Sequence, residues 1–320
     1  MAENFTIMMM GPEAVGKTTL LATMYKELTK MRQYGFEFMA DNDTGLKLDR
    51  AYQTLSTIIE QPSFTSIKPL LAGSQGIIGH KFEISFKNKE ELDINFFDIA
   101  GGLISASNDN PDFATFKEKL KNSSVIFNVI DGAALIEGDD IFSETVNKPT
   151  RIRDLLMPSL REDNRNHLIL FVVNKCEKWL KDERERLKLE RAFEKRYASV
   201  LNLIKEKSNV TGVLMPVQTL GCVEFSRMEG KGEETKAIFI RRANLPFEPK
   251  FIDQPLRYAV AFVLSEYRKN KKKNWFEKIL ETVFGIKTID IAFENALIFF
   301  AKECDTNHFK MYGNMSLVRI

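Results

Sequence analysis

Cysteine is scarce: three in 320 residues, at 176, 222 and 304. Scattered and odd in number, they build neither a metal-ligand spacing nor a disulfide framework, which suits a reducing, cytoplasmic setting. Histidine is as rare. His80, His167 and His308 share no spacing and read as structural. An excess of one charge is also missing. The 46 Lys and Arg against 44 Asp and Glu leave a net charge of +2. Nucleic-acid-binding domains usually carry a marked basic excess, so no nucleic-acid partner is expected. Long apolar runs are lacking too. Tyr258 to Leu264 is apolar but far too short to span a bilayer. The first predicted strand begins at Phe5, leaving no room before it for a signal peptide. With 44% hydrophobic residues, apolar material for a core is ample. The length allows one large domain or two small ones.

The most informative stretch is Gly11-Pro12-Glu13-Ala14-Val15-Gly16-Lys17-Thr18, a complete G-x-x-x-x-G-K-[ST] pattern. Phe5 to Met10 before it reads as a buried strand, and Thr19 to Leu28 after it has helical periodicity. Chemistry with phosphates needs that order. Glycines let the backbone wrap a polyphosphate, so that N–H groups and a helix N-terminus point at negative charge. Residues 11 and 13–19 are the predicted phosphate cradle. Lys17 is expected to reach the β- and γ-phosphates, and the Thr18 hydroxyl to ligate Mg²⁺.

Further along, Asp49 to Glu60 reads as a helix, and Gln61 to Gly79, rich in Ser, Gly, Pro and Thr, as a mobile loop. His80–Phe86 and Leu92–Phe96 alternate apolar and polar residues around a polar link, which predicts an antiparallel hairpin. Pro111 opens a helix to Lys121. Strands are expected at 125–130, 167–173 and 213–217. A polar loop follows Asp131, then a helix near 151–160, and a long charged helix spans about 180–206. A second hairpin is expected within 222–242, and a last core helix over 256–268. Alternating strands and helices imply an α/β fold: a mostly parallel sheet with helices on both faces. Residues 1–269 would form this domain and 270–320 a C-terminal helical appendage. The phosphate loop, Asp98, Asn174 and Thr219 all fall at predicted strand C-termini, where such sheets bind ligands.

These motifs together resemble the Ras-like, translation-factor-related class of P-loop GTPases, over about Phe5 to Lys269. In Asp98-Ile-Ala-Gly101, the aspartate stands where that class holds Mg²⁺, and the glycine where its N–H meets a γ-phosphate. Asn174-Lys175-Cys176-Glu177 stands where the class carries N-K-x-D. The resemblance implies that Glu177 accepts two bonds from guanine, that the Lys175 stem packs on the base, and that Asn174 ties base loop to phosphate loop. Thr219 and Leu220 fall at the second base loop. Thr18-Thr19-Leu20-Leu21-Ala22-Thr23-Met24-Tyr25, the doubled glycine Gly101-Gly102 and the prolines 246, 249 and 255 point further, to the double-GTPase proteins of bacterial conflict systems.

Two departures matter. Ras-like enzymes usually place a Gln after the motif glycine to orient the attacking water; here Gly102 stands there. The class also needs a Thr in its first mobile loop to complete the Mg²⁺ shell. Thr65 is chosen, with Thr54, Thr57 and Ser66 as rivals. The resemblance thus implies a GTP/GDP- and Mg²⁺-binding switch that hydrolyses GTP slowly or with a protein partner, with Lys17, Thr65 and Gly101 in the chemistry. A non-hydrolysing interaction module is the alternative, and Glu177 leaves ATP open as the nucleotide. The basic run 268–273 beside Trp275-Phe276 reads as a solvated linker; contact with a membrane surface is the rival reading.

Overall fold

The computed structural model describes residues 5–59, 63–65, 76–87, 89–107, 109–162, 164–230, 232–269 and 291–319. Most of the expected loop from Gln61 to Gly79, Ser66 within it, and the linker residues 270–276 lie outside these. Strand β1 (Phe5–Met10) leads into helix α1 (Lys17–Leu28), then β2 (Phe36–Ala40), α2 (Asn42–Ile59) and β3 (Ser63–Thr65). The hairpin β4 (Ile77–Phe86) and β5 (Lys89–Ile99) precedes α3 (Gly101–Ile104) and α4 (Pro111–Asn122). Next come β6 (Val125–Asp131), α5 (Gly132–Ile136), α6 (Asp140–Asn147), α7 (Pro149–Glu162) and β7 (His167–Asn174). The chain continues through α8 (Glu183–Arg196), α9 (Ala198–Lys205), β8 (Val210–Pro216), β9 (Val223–Glu229), β10 (Lys236–Arg241) and α10 (Gln254–Lys269). It closes with α11 (Ile291–Lys302) and β11 (Lys310–Gly313).

An eight-stranded sheet runs in the order β11-β8-β7-β6-β1-β5-β4-β2. Its middle, β8 to β5, is parallel, and β11, β4 and β2 add antiparallel edges. Side chains alternate across the sheet, so Ile7 and Met9 join one core while Met8 and Met10 join the other. Both faces are covered, which is why the central strands are near-continuous apolar runs, with Asn128 of β6 a buried exception. α1 closes the first core with Leu20, Leu21, Met24 and Leu28, spaced to share one face. The register places Asp98 beside Met9 and Asn174 beside Asp131, so the polar strand ends share one edge.

Several elements differ from expectation. Strand β2 and the first two turns of α2 escape a periodicity reading because β2 is a short edge strand and Gly45 interrupts the helical pattern. α2 starts instead on Asp41, whose carboxylate accepts from the Thr44 N–H at 2.8 Å. The polar loop expected after Asp131 holds two short helices, α5 and α6. Each starts on an aspartate: Asp131 accepts from Ala134 N–H and Asp139 from Phe142 N–H. The long charged helix is two, broken at Tyr197 (φ −99°, ψ 15°), a bulky ring buried between α8 and α9. The second hairpin does not extend the main sheet. It forms a separate sheet in the order β3-β10-β9.

The C-terminal helix is present, but residues 291–319 do not hang off the fold. β11 pairs with β8, and Phe293 and Phe300 of α11 are buried in the first core. Arg257 of α10, 3% exposed, holds this segment in place. Its guanidinium pairs with Asp253, donates to the Phe300 carbonyl at 2.6 Å and reaches the Tyr34 hydroxyl at 2.7 Å. Removing one partner of a buried charged cluster leaves the others uncompensated. Arg257→Met should therefore lower the unfolding free energy by about 3 kcal/mol, read from urea denaturation; an unchanged midpoint would show that the cluster contributes nothing.

Candidate functional site

The site grows from the turn between β1 and α1. Gly16 sits at φ 98°, and a Cβ there would stand 2.9 Å from Asn174 Nδ2, so only glycine fits the bend. No side chain caps α1, so its first-turn N–H groups at Lys17, Thr18 and Thr19 are turned toward the loop. Lys17, 8% exposed, folds its ammonium back to donate to the Gly11 carbonyl at 2.7 Å and the Pro12 carbonyl at 3.1 Å. Burial pushes that ammonium below its ordinary pKa, while the nearby Asp98 and Glu13 carboxylates pull it back up. Val15 is fully buried, and Glu13 and Ala14 are exposed.

Asp98, 2% exposed, ends β5 next to the loop. Three residues on, a Cβ at Gly101 would come within 2.2 Å of the Glu13 nitrogen. The start of α3 can touch the phosphate loop only because that position is glycine. A cleft of about 490 Å³ opens beside this contact, lined among others by Glu13, Gly102, Asp131, Lys148 and Lys236.

The donor set near Lys17 is a test of the expected metal. Thr18 and Asp98 offer oxygen ligands, which suit a hard cation such as Mg²⁺. Among the described residues no group of three or more His, Cys, Asp or Glu could enclose an ion. That also fits Mg²⁺, which is commonly held by one or two protein oxygens plus substrate phosphates. Thr65 is less directly placed. Its backbone pairs with Ile238 in the small sheet, one strand position from the cleft wall.

The residues expected to form the base loop meet the phosphate loop from the other side. Asn174 donates from Nδ2 to the Gly16 carbonyl at 3.0 Å and lies 3.4 Å from the Val15 carbonyl. Lys175, held at φ 55°, donates to the Ala14 carbonyl at 2.6 Å and pairs with Asp131 at 2.5 Å. Glu177 is 7% exposed and accepts from the Leu220 N–H at 3.2 Å; Thr219, before it, is 3% exposed. A second cleft of about 620 Å³ lies over Glu177, Gln218 and Gly221, edged by Lys181, Arg241 and Arg242. Sequence reasoning missed Asp131 and the wall formed by Thr235 to Ala237. Asp131 was findable, as an acid at the end of β6; the wall depends on where the hairpin folds.

Burial raises the Glu177 carboxyl to about 7, against the lowering pull of its own, Leu220 and Gly221 N–H groups. A carboxyl raised in the folded state binds more protons there than when unfolded. Stability therefore falls as pH rises from about 4.5 to about 7 and stays low above that. Glu177→Gln keeps the shape without the charge. The variant should match the native chain at pH 5 and exceed it at pH 8 by roughly 2–3 kcal/mol in urea denaturation. Equal stabilities at pH 8 would show that Glu177 carries no such penalty.

The Double-GTPase 2 family profile matches residues 6–209, well over half of the chain. No curated protein matches it. Among solved structures, the signal recognition particle receptor SRb-GTP/SRX complex from Chaetomium thermophilum is 15% identical, with a TM-score of 0.38, covering 73% of this chain and 94% of that one. The GTP-bound GTPase-like domain of Ski7 from S. cerevisiae is 14% identical, with a TM-score of 0.35, covering 68% of this chain and 43% of that one. With its complete G-x-x-x-x-G-K-T loop, Asp98 and Asn174 brought to one sheet edge, the chain belongs to the Double-GTPase 2 family.

Proposed function

We propose that this chain is a GTP-binding switch that hydrolyses GTP slowly by itself and faster with a protein partner. The observation that carries the reading is the bond from Asn174 to Gly16, which joins the base loop to the phosphate loop while Lys17 lies beside Asp98. Amides of residues 13–19 would hold the phosphates, with Lys17 exchanging the Gly11 and Pro12 carbonyls for phosphate oxygens. Thr18 and Asp98 would hold Mg²⁺, with Thr65 a further candidate ligand, and the bound ion would neutralise charge on the phosphate oxygens. Lys175 would lay its stem on the base. Glu177, once ionised, would accept from two guanine N–H groups, and the Leu220 amide lies next to it.

Gly102 has no side chain to orient a water, which supports slow turnover. The switch reading rests on two adjacencies. α3 begins against Glu13, so a third phosphate in the loop would be felt at Gly101. Thr65 lies in β3, paired with β10, whose neighbouring residues wall the cleft. A partner reading that wall would read the state of both loops. A cytoplasmic location rests on the scattered cysteines, and a role in a bacterial conflict system on the resemblance. Among the described residues no helix is long and apolar enough to cross a membrane. Gly102 also favours a second reading, an interaction module that keeps its nucleotide without turnover.

Replacing Lys17 by Ala should weaken GTP binding about 10–100-fold, the worth of a charge-assisted contact; calorimetry showing native affinity would refute the site. Displacement of labelled GTP by unlabelled GTP or ATP tests the base. GTP should win, and its advantage should grow between pH 6 and 8 as Glu177 ionises. Equal displacement by ATP at pH 8 would reassign the nucleotide. Multiple-turnover phosphate release separates the switch from the static module.

A further inference from the structure

The chain lacks a side chain at 102, yet the space that such a side chain would enter is not bare. A Cβ built on Gly102 would stand 3.5 Å from Glu13 Oε1, in ordinary van der Waals contact. The approach continues in the backbone. A Cβ on Gly101 would stand 2.2 Å from the Glu13 nitrogen, so the start of α3 lies directly against the loop. Glu13 is exposed to the 490 Å³ cleft and close enough to Lys17 to act on its charge. A carboxylate in a phosphate loop is otherwise a liability, since it repels the γ-phosphate that Lys17 attracts.

We propose, building on the GTPase reading above, that Glu13 positions and deprotonates the attacking water, reaching over Gly102 to serve in place of the absent Gln. The water oxygen forms a bond to the γ-phosphorus. The bond from that phosphorus to the β–γ bridging oxygen breaks, and its electron pair leaves with GDP. The proton lost by water passes to the Glu13 carboxylate and from there to the released phosphate or solvent. Glycine at 102 leaves that space open. A side chain longer than a methyl group would reach into the place of the Glu13 carboxylate. The charged groups sharing the cleft are Asp131 from β6, Lys148 from the end of α6 and Lys236 from β10, with Lys17 beneath.

The test uses the full chain, with GTP and GDP in magnesium buffer, and the variants Glu13→Gln and Glu13→Ala. Single-turnover hydrolysis should fall about a hundredfold or more, the usual loss of a general base. GTP affinity relative to GDP should stay level or rise, because a like charge is removed. Adding Gly102→Gln to Glu13→Ala should restore part of the rate. A Glu13→Gln variant that binds and hydrolyses GTP as the native chain does would overturn the proposal and leave the GTPase reading intact. Native protein that binds GTP but never turns it over would overturn the proposal and the hydrolysing switch together, leaving the static module. Native protein that binds no GTP would overturn both.

Discussion

The backbone between Gly11 and Thr18 is held by contacts that converge on it from two strand ends and from within, and the rest of the site follows from that convergence. Asn174 reaches in from β7 to the carbonyls of Val15 and Gly16, and Lys175 to that of Ala14. From β5, the turn into α3 presses Gly101 against Glu13. Lys17 closes the loop from within through Gly11 and Pro12. A turn whose carbonyls are already engaged presents its N–H groups on the opposite side. Oriented amides of this kind form an anion-binding concavity. The glycines at 16 and 101 are the steric conditions for it, since a methyl group at either would collide with the partner segment.

Electrostatics adds a second constraint. Lys17, Asp98 and Glu177 are all buried near one edge of the sheet. Desolvation disfavours each charge, and each is answered differently. Lys17 gains from Asp98 and Glu13, and Glu177 gains from the Leu220 and Gly221 amides without fully offsetting its burial. Asp131 is answered by Lys175, and in the same place it caps α5. Such groups are poised to exchange protein partners for those of a ligand, which is what a recognition site requires.

Away from the site, the fold is closed by segments distant in the chain. β11 covers the edge of β8, and α11 lays its aromatic rings against the first core, with Arg257 bridging to both Tyr34 and Phe300. The hairpin of β9 and β10 takes β3 as its third strand and so ties the segment around Thr65 to the wall of the cleft. Stability at one end and accessibility at the other are thus handled by different parts of the chain.

Sequence alone determined the phosphate loop, the central strands, the first hairpin and the strand-end positions of Asp98 and Asn174. These rest on local rules: glycine spacing, period-two alternation, and the apolar runs of strands buried on both faces. Short edge strands such as β2 and β11 carry too few residues for periodicity to speak. Gly45 masked the start of α2, and the aspartate caps of α5 and α6 were read as loop. The meeting of Glu13 with Gly102, the pairing of Thr65 with Ile238 and the docking of residues 291–319 belong to tertiary structure. Each joins residues far apart in the chain, and which distant segments pair is decided by sheet order and packing rather than by any local preference.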